Sequence, residues 1–313
     1  MSKTSSFIIG RLLWPHGVFA ALTAAALIAP HSGVAAAHRL ALLAVAIEVA
    51  ALIFIVRHTQ SEARVASRDV SGVLFAILLL WQTATAHAHA VNPLLLPPPE
   101  AVLSALTSDA IELARGMGRS VGLLAAGYAL ALVVAVPLGI VTGWYLRLFR
   151  ASQPIIKVLG PLPPVVYVPY AIALLPTFRL AAVWVVFVGA FWPLLARTIQ
   201  GVRVIPTAQI DAARTLNLTT PTLLRRIVFP AALPAICGGA AVALVFAFVL
   251  LTSAELIGAS GGIASGLGYY VMYADSIQDH RRVLAGIIVI GLLVVAIVSL
   301  SDRFERRLLH WKD

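Results

Sequence analysis

The sequence specifies an all-α polytopic membrane protein, on three observations: its hydrophobic content, the length of its apolar runs and the placement of its cations. Sixty per cent of the 313 residues are hydrophobic and only 12% are charged, with a mean hydropathy of +0.95, which no soluble domain of this length keeps in water. The apolar runs cover Leu12 to Ala29, Leu40 to Val56, Val70 to Ala86, Ser120 to Leu146, Val158 to Pro176, Leu180 to Ile199, Ala232 to Ile257 and Val283 to Leu300. Each approaches the roughly 20 residues that cross a bilayer as a helix. With the polar stretch after the sixth run placed inside, seventeen of the twenty-three Lys and Arg fall on that side, as the positive-inside bias requires. The net charge of +10 is therefore topological and points to lipid headgroups, with no nucleic-acid partner.

The ends and the isolated polar residues are read in the same terms. Both termini are expected in the cytoplasm, with 302–307 as a surface helix. Lys3, Arg11 and the Ala35-Ala36-Ala37 run imitate a secretory signal, but an uncleaved first span keeps the charge bias intact. Glu48, alone in the second run, is costly in hydrocarbon and is either a functional acid or a carboxyl bonded to a neighbouring helix. Cys237 is the single cysteine and packs as a small residue. His87 and His89 have no cysteine or carboxylate cluster near them, so no metal site is assigned.

The stretch Pro206 to Pro230, PTAQIDAARTLNLTTPTLLRRIVFP, interrupts this pattern with polar and cationic residues between two long apolar runs. Ala208 to Leu216 forms a short helix with Ile210 and Ala213 on one side, and Asn217 sits where a left-handed residue ends it. Thr220 and Pro221 then serve as N-cap and first position of a second helix carrying Leu223, Leu224, Ile227 and Val228, with Arg225 and Arg226 exposed. A folded helical hairpin at a membrane surface is a docking loop.

These residues carry a resemblance. Asp211-Ala212-Ala213, then Asn217, then Ile227, Phe229 and Pro230 are similar in type and spacing to the "EAA" cytoplasmic loop of ABC importer permeases, with Asp for Glu, Asn for Gly and Phe for Leu. Leu95-Leu96-Pro97-Pro98-Pro99-Glu100-Ala101-Val102, Pro137-Leu138-Gly139, Pro161 to Pro164, Ala254 to Ala259 and Ser265 to Tyr269 resemble, in order, segments of the sulfonate, taurine, nitrate and bicarbonate type. The resemblance implies a six-helix type I permease core over 70–313, with a coupling loop at 206–230. Residues 1–69 would be an extension with two further transmembrane helices. It implies a bacterial inner-membrane importer of a small anion, working by alternating access. Its partners would be an ATP-binding cassette ATPase dimer, a second permease copy and a periplasmic solute-binding protein. ATP and magnesium would be held by the ATPase, and this chain would carry no cofactor and no catalytic residue. Asp211, Ala212, Ala213, Leu216, Asn217, Leu223, Leu224, Arg225 and Arg226 would seat the ATPase.

The physics of the spans suits a pathway. Pro137, Pro161, Pro163, Pro164, Pro169, Pro176 and Pro193 each remove a backbone donor in or beside a span, which is tolerated where protein or water satisfies the freed carbonyl. Gln82, Tyr128, Tyr167, Tyr170 and Trp184 are candidates to line it, or to form an aromatic packing seam. Thr252, Ser253 and Glu255, with Gly266 and Tyr269 of the glycine-rich stretch that follows, are candidates for the outer gate; Glu255 alternatively bonds the glycine loop. The competing class is an ion-gradient-driven transporter or channel using Glu48 or Glu255, which lacks a matched pair of membrane acids.

Overall fold

The computed structural model of the chain describes residues 15–26, 40–49, 61–87, 92, 94–160, 163–215, 218–259 and 266–309. These are helical throughout, with no strand among them. The helices are α1 (15–26), α2 (Leu40–Val49), α3 (Ser61–Gln82), α4 (Pro99–Ser108), α5 (Ala110–Trp144), α6 (Leu146–Leu159), α7 (Val168–Leu174), α8 (Phe178–Arg203), α9 (Thr207–Arg214), α10 (Thr220–Leu223), α11 (Phe229–Ala259), α12 (Leu267–Ser276) and α13 (His280–Leu308).

Five stretches are long and apolar enough to cross a membrane: Asp69–Ala86, Ala110–Trp144, Phe178–Arg203, Thr220–Gly258 and His280–Leu308. They match five of the eight expected runs. The first two runs extend beyond the described residues. The run from Val158 to Pro176 is a structural departure, because it is divided between the end of α6, a 3-10 turn at Pro164–Tyr167 and the seven-residue α7. Four prolines at 161, 163, 164 and 169 crowd this run, so consecutive turns lose donors. Pro137 and Pro193, each alone, lie inside α5 and α8 without breaking them.

Two compact units result. One lies within Met1–Ala110 and Ala274–Ala285, the other within Ile111–Tyr273 and Gly286–Asp313. In the first, Leu22, Ala26, Leu40, Ala44 and Phe75 form a core in which the Phe19 and Phe75 rings lie 5.5 Å apart. Several of its polar groups pair internally. His16 bonds Glu48, Trp81 Nε1 donates to the Pro97 carbonyl at 3.0 Å, and Arg282 Nε meets Asp109 Oδ2 at 2.9 Å. Glu48 thus takes the second of its two expected roles, a carboxyl bonded to a neighbouring helix.

The second unit is built on α5, α8 and α11. Gly127, Ala131, Ala135, Gly139 and Gly143 recur every fourth residue and are all buried, so they form one small-residue stripe along α5. A Cβ on Gly127 would lie 2.6 Å from the Val183 carbonyl oxygen, one on Gly139 2.6 Å from Thr198 Cβ, and one on Gly143 2.8 Å from Val202 Cβ. Successive contacts advance together along both helices, so α5 and α8 run parallel. Between α8 and α11 the order reverses, Gly189 meeting Leu250 and Gly201 meeting Ala235, so these two are antiparallel. The end of α8 and the start of α11 therefore lie at one end of the unit, and the start of α5 and the end of α11 at the other.

Gly139→Leu forces α5 and α8 apart and is expected to cost about 1–3 kcal/mol. Gly122→Leu, at a site with nothing within 4 Å of its added Cβ, should stay within about 0.5 kcal/mol. Thermal unfolding of the two variants in detergent checks the contrast.

Candidate functional site

Two sites stand at opposite ends of this three-helix core. The first is the segment joining α8 to α11. α9 begins after Pro206, whose φ of −58° suits a helix entry, and presents Asp211 and Ala212 outward while Ala213 is 4% exposed. The short α10 follows, with Thr219 rather than Thr220 at the N-cap position and Pro221 in its first turn. The Thr219 and Thr222 hydroxyls are 2.9 Å apart. Leu223 and Val228 are buried and Leu224 half-buried, whereas Arg225 and Arg226 face outward. Leu216 and Asn217 lie outside the described residues.

The second helix of this segment is not a separate element. A π-turn over Leu224–Val228 joins α10 directly to α11, giving one helical stretch, Thr220–Gly258, of 39 residues. Pro230 explains the widened turn: it has no N–H to donate and its ring would clash with the carbonyl four residues back. The outward face carries one carboxylate and two guanidinium groups, and the inward face carries the apolar anchors.

The second site closes the other end. Glu255, 1% exposed near the end of α11, accepts from Ser120 Oγ at 2.7 Å and from the Gly268 N–H at 2.8 Å. Ser120 Oγ in turn accepts the Leu267 N–H at 3.0 Å. Leu267 and Gly268 are the first two residues of α12, whose opening amides have no partner within their own helix. Ser120 of α5 thus caps α12 across 147 positions of sequence and Glu255 of α11 across 13. Gly266 precedes it at φ +131°, and any Cβ there would strike the Glu255 carboxylate. Glu255, Ser120 and the two amides form a clasp that holds the start of α12.

The other candidates separate. The Thr252 and Ser253 hydroxyls turn back to the Phe248 and Val249 carbonyls on their own helix. Tyr269 stacks on Tyr273 with ring centroids 6.1 Å apart. Tyr167 and Trp184 meet edge to face at 6.4 Å, while Tyr170 is 68% exposed. Tyr128 donates to the Ala240 carbonyl at 2.8 Å and so ties α5 to α11. Gln82 belongs to the other unit, where it is fully buried and its Nε2 donates to Glu100 Oε1 at 3.2 Å. Ser120 was not singled out from sequence; its register with Gly116 on the small-residue side of α5 was the available signal.

A helical membrane core with an exposed charged segment between two of its spans fits a transport permease. The chain matches the family of binding-protein-dependent transport system inner membrane components over residues 135–310, and it belongs to that family. It is 33% identical over 242 residues to a putative ABC transporter permease protein of Methanocaldococcus jannaschii, covering 75% of this chain and 88% of that one. It is 31% identical to the nitrate import permease protein NrtB of Leptolyngbya laminosa over 54% of this chain and 60% of that one. To the taurine transport system permease protein TauC of Escherichia coli it is 28% identical, over 78% and 91%. Its fold is similar to a chain of the MetNI methionine ABC transporter solved in inward-facing conformations, with a TM-score of 0.54 and 21% identity, over 64% of this chain and 98% of that one. The protein is thus the membrane permease subunit of a binding-protein-dependent ABC importer, not an enzyme, and the ion-gradient alternative is set aside.

Glu255→Ala leaves the Gly268 amide and the Ser120 hydroxyl short of a partner and should cost roughly 2–3 kcal/mol. Glu255→Gln keeps one acceptor oxygen and should cost less. Hydrogen exchange at the Leu267 and Gly268 amides reads the loss directly; equal protection in the alanine variant would remove the capping role.

Proposed function

We propose that the chain carries a small organic or inorganic anion inward by alternating access, driven through the 206–230 segment by two ATPase subunits that bind ATP and magnesium. One observation carries the reading: the segment is exposed and charged on one face and is continuous through its π-turn with α11. A push on Arg225 or Arg226 is then delivered to a spanning helix without an intervening hinge. Ala212, Ala213, Leu223 and Leu224 set the shape of the seat, and Asp211 pairs with a cation on the ATPase.

Two copies of this chain face each other in the bacterial inner membrane, with both termini cytoplasmic, and a periplasmic binding protein delivers solute from outside. Residues 70–313 form the transporting core and 1–69 an added pair of spans. The anion class is supported by the names of the nitrate and taurine relatives.

Asp211→Lys tests the coupling. In proteoliposomes holding the permease, ATPase and binding protein, ATP-driven uptake should fall about tenfold or more while the chain still inserts and melts as before. Undiminished uptake removes Asp211 from the coupling seat.

A further inference from the structure

The pocket that opens beside the coupling segment is not used by either site above. Its volume is about 680 Å³, within the range of roughly 300–1,000 Å³ that small-molecule sites occupy. It is lined by the last two turns of α8, the start of α9 and the first turns of α11. Three hydrogen-bonding side chains converge on it: Arg197 and Gln200, three apart on one face of α8, and Gln209 from α9. Val204, Pro206 and Pro234 supply apolar wall.

Arg197 is the unusual member. It lies six residues, or about 9 Å along the axis, inside the end of α8, and its side chain, like those of Gln200 and Gln209, is exposed at the pocket. Its guanidinium is permanently charged. Among the described residues no carboxylate forms an ion pair with it. Arg203, one and a half turns further on, is by contrast engaged, lying 4.9 Å over the Phe149 ring. The stem of Arg197 is held in place, because it lies so close to Gly239 of α11 that a Cβ there would fall 2.5 Å from Arg197 Cβ. A fixed cation with two amides beside it and apolar walls around it selects a ligand with one anionic head and a short apolar body.

We propose that this pocket is a binding site for a small organic anion, in which Arg197 pairs with the carboxylate or sulfonate, Gln200 and Gln209 complete its hydrogen bonds, and Val204, Pro206 and Pro234 take the apolar part. The assignment rests on the anion reading above and narrows it: a bare inorganic ion leaves the walls unused. The ligand sits against α9, two residues from Asp211, where cargo and coupling segment share a surface.

The test uses the full chain in phosphatidylcholine nanodiscs, titrated at fixed ionic strength with butanesulfonate, sulfate or butyltrimethylammonium while the thermal midpoint is followed. Butanesulfonate should raise the midpoint saturably, sulfate should act about tenfold more weakly, and the cation should do nothing. Arg197→Gln should weaken butanesulfonate by about tenfold or more, and Arg197→Lys by less. If Arg197→Gln fails to insert, Gln209→Ala at its exposed site carries the same test with about a threefold loss. Equal affinity for sulfate, or a butanesulfonate response untouched by these substitutions, overturns the assignment. A midpoint that rises only when phosphatidylglycerol replaces phosphatidylcholine, and falls back in Arg197→Gln, overturns it in favour of a lipid headgroup seat. No butanesulfonate response in the unsubstituted chain, with ATP-driven uptake intact, removes this pocket alone and leaves the permease reading standing.

Discussion

Close backbone approach is the constraint on which the larger unit depends. Lipid tails are as apolar as leucine, so helices in a bilayer gain little by burying greasy side chains against one another and must instead bring their backbones together. The stripe from Gly127 to Gly143 does this for α5 and α8, and Gly189, Gly201 and Gly239 do it for α8 and α11. Each contact removes volume that a side chain would occupy, so the register of the three helices is set by which positions lack a Cβ. That register runs α5 and α8 parallel and turns α11 back, and it sends the coupling segment to one end and the α12 cap to the other.

The two ends are joined by a single rigid element. Thr220–Gly258 is helical over 39 residues, about 58 Å at 1.5 Å per residue, and contains both Arg225 and Arg226 near its start and Glu255 near its finish. The π-turn widens this helix at Leu224–Val228 without interrupting it, so displacement at one end has no flexible joint in which to dissipate. At the far end Glu255 holds the first amides of α12, which connects the same helix to the segment leading into α13.

Buried polar groups elsewhere obey the same economy. His16 with Glu48, Gln82 with Glu100 and Asp109 with Arg282 are pairs within the first unit, each joining residues from different elements. Charges and amides that hydropathy marks as anomalies are here fasteners between helices, the least costly arrangement for a polar group removed from water.

The helical class, the five long spans and the exposed face of the coupling segment were legible in the chain because they follow from local chemistry: in lipid the backbone must satisfy itself, and a helix is the only open-ended way to do so. Spacing alone placed Ile210 and Ala213 on one side of α9 and turned Arg225 and Arg226 outward, since side-chain periodicity needs no partner. Tertiary structure decided the rest. Nothing near Glu255 in sequence announces that its bond comes from Ser120, nor that Pro137 and Pro193 are absorbed while the cluster from Pro161 to Pro169 divides a span. As a residue of the sequence Arg197 is one of the cations on the inner side; only the packing of α9 and α11 against α8 sets it at a pocket. Periodicity records which face of a helix is apolar; which residue of another helix meets that face depends on distance in space, and a linear chain does not encode that locally.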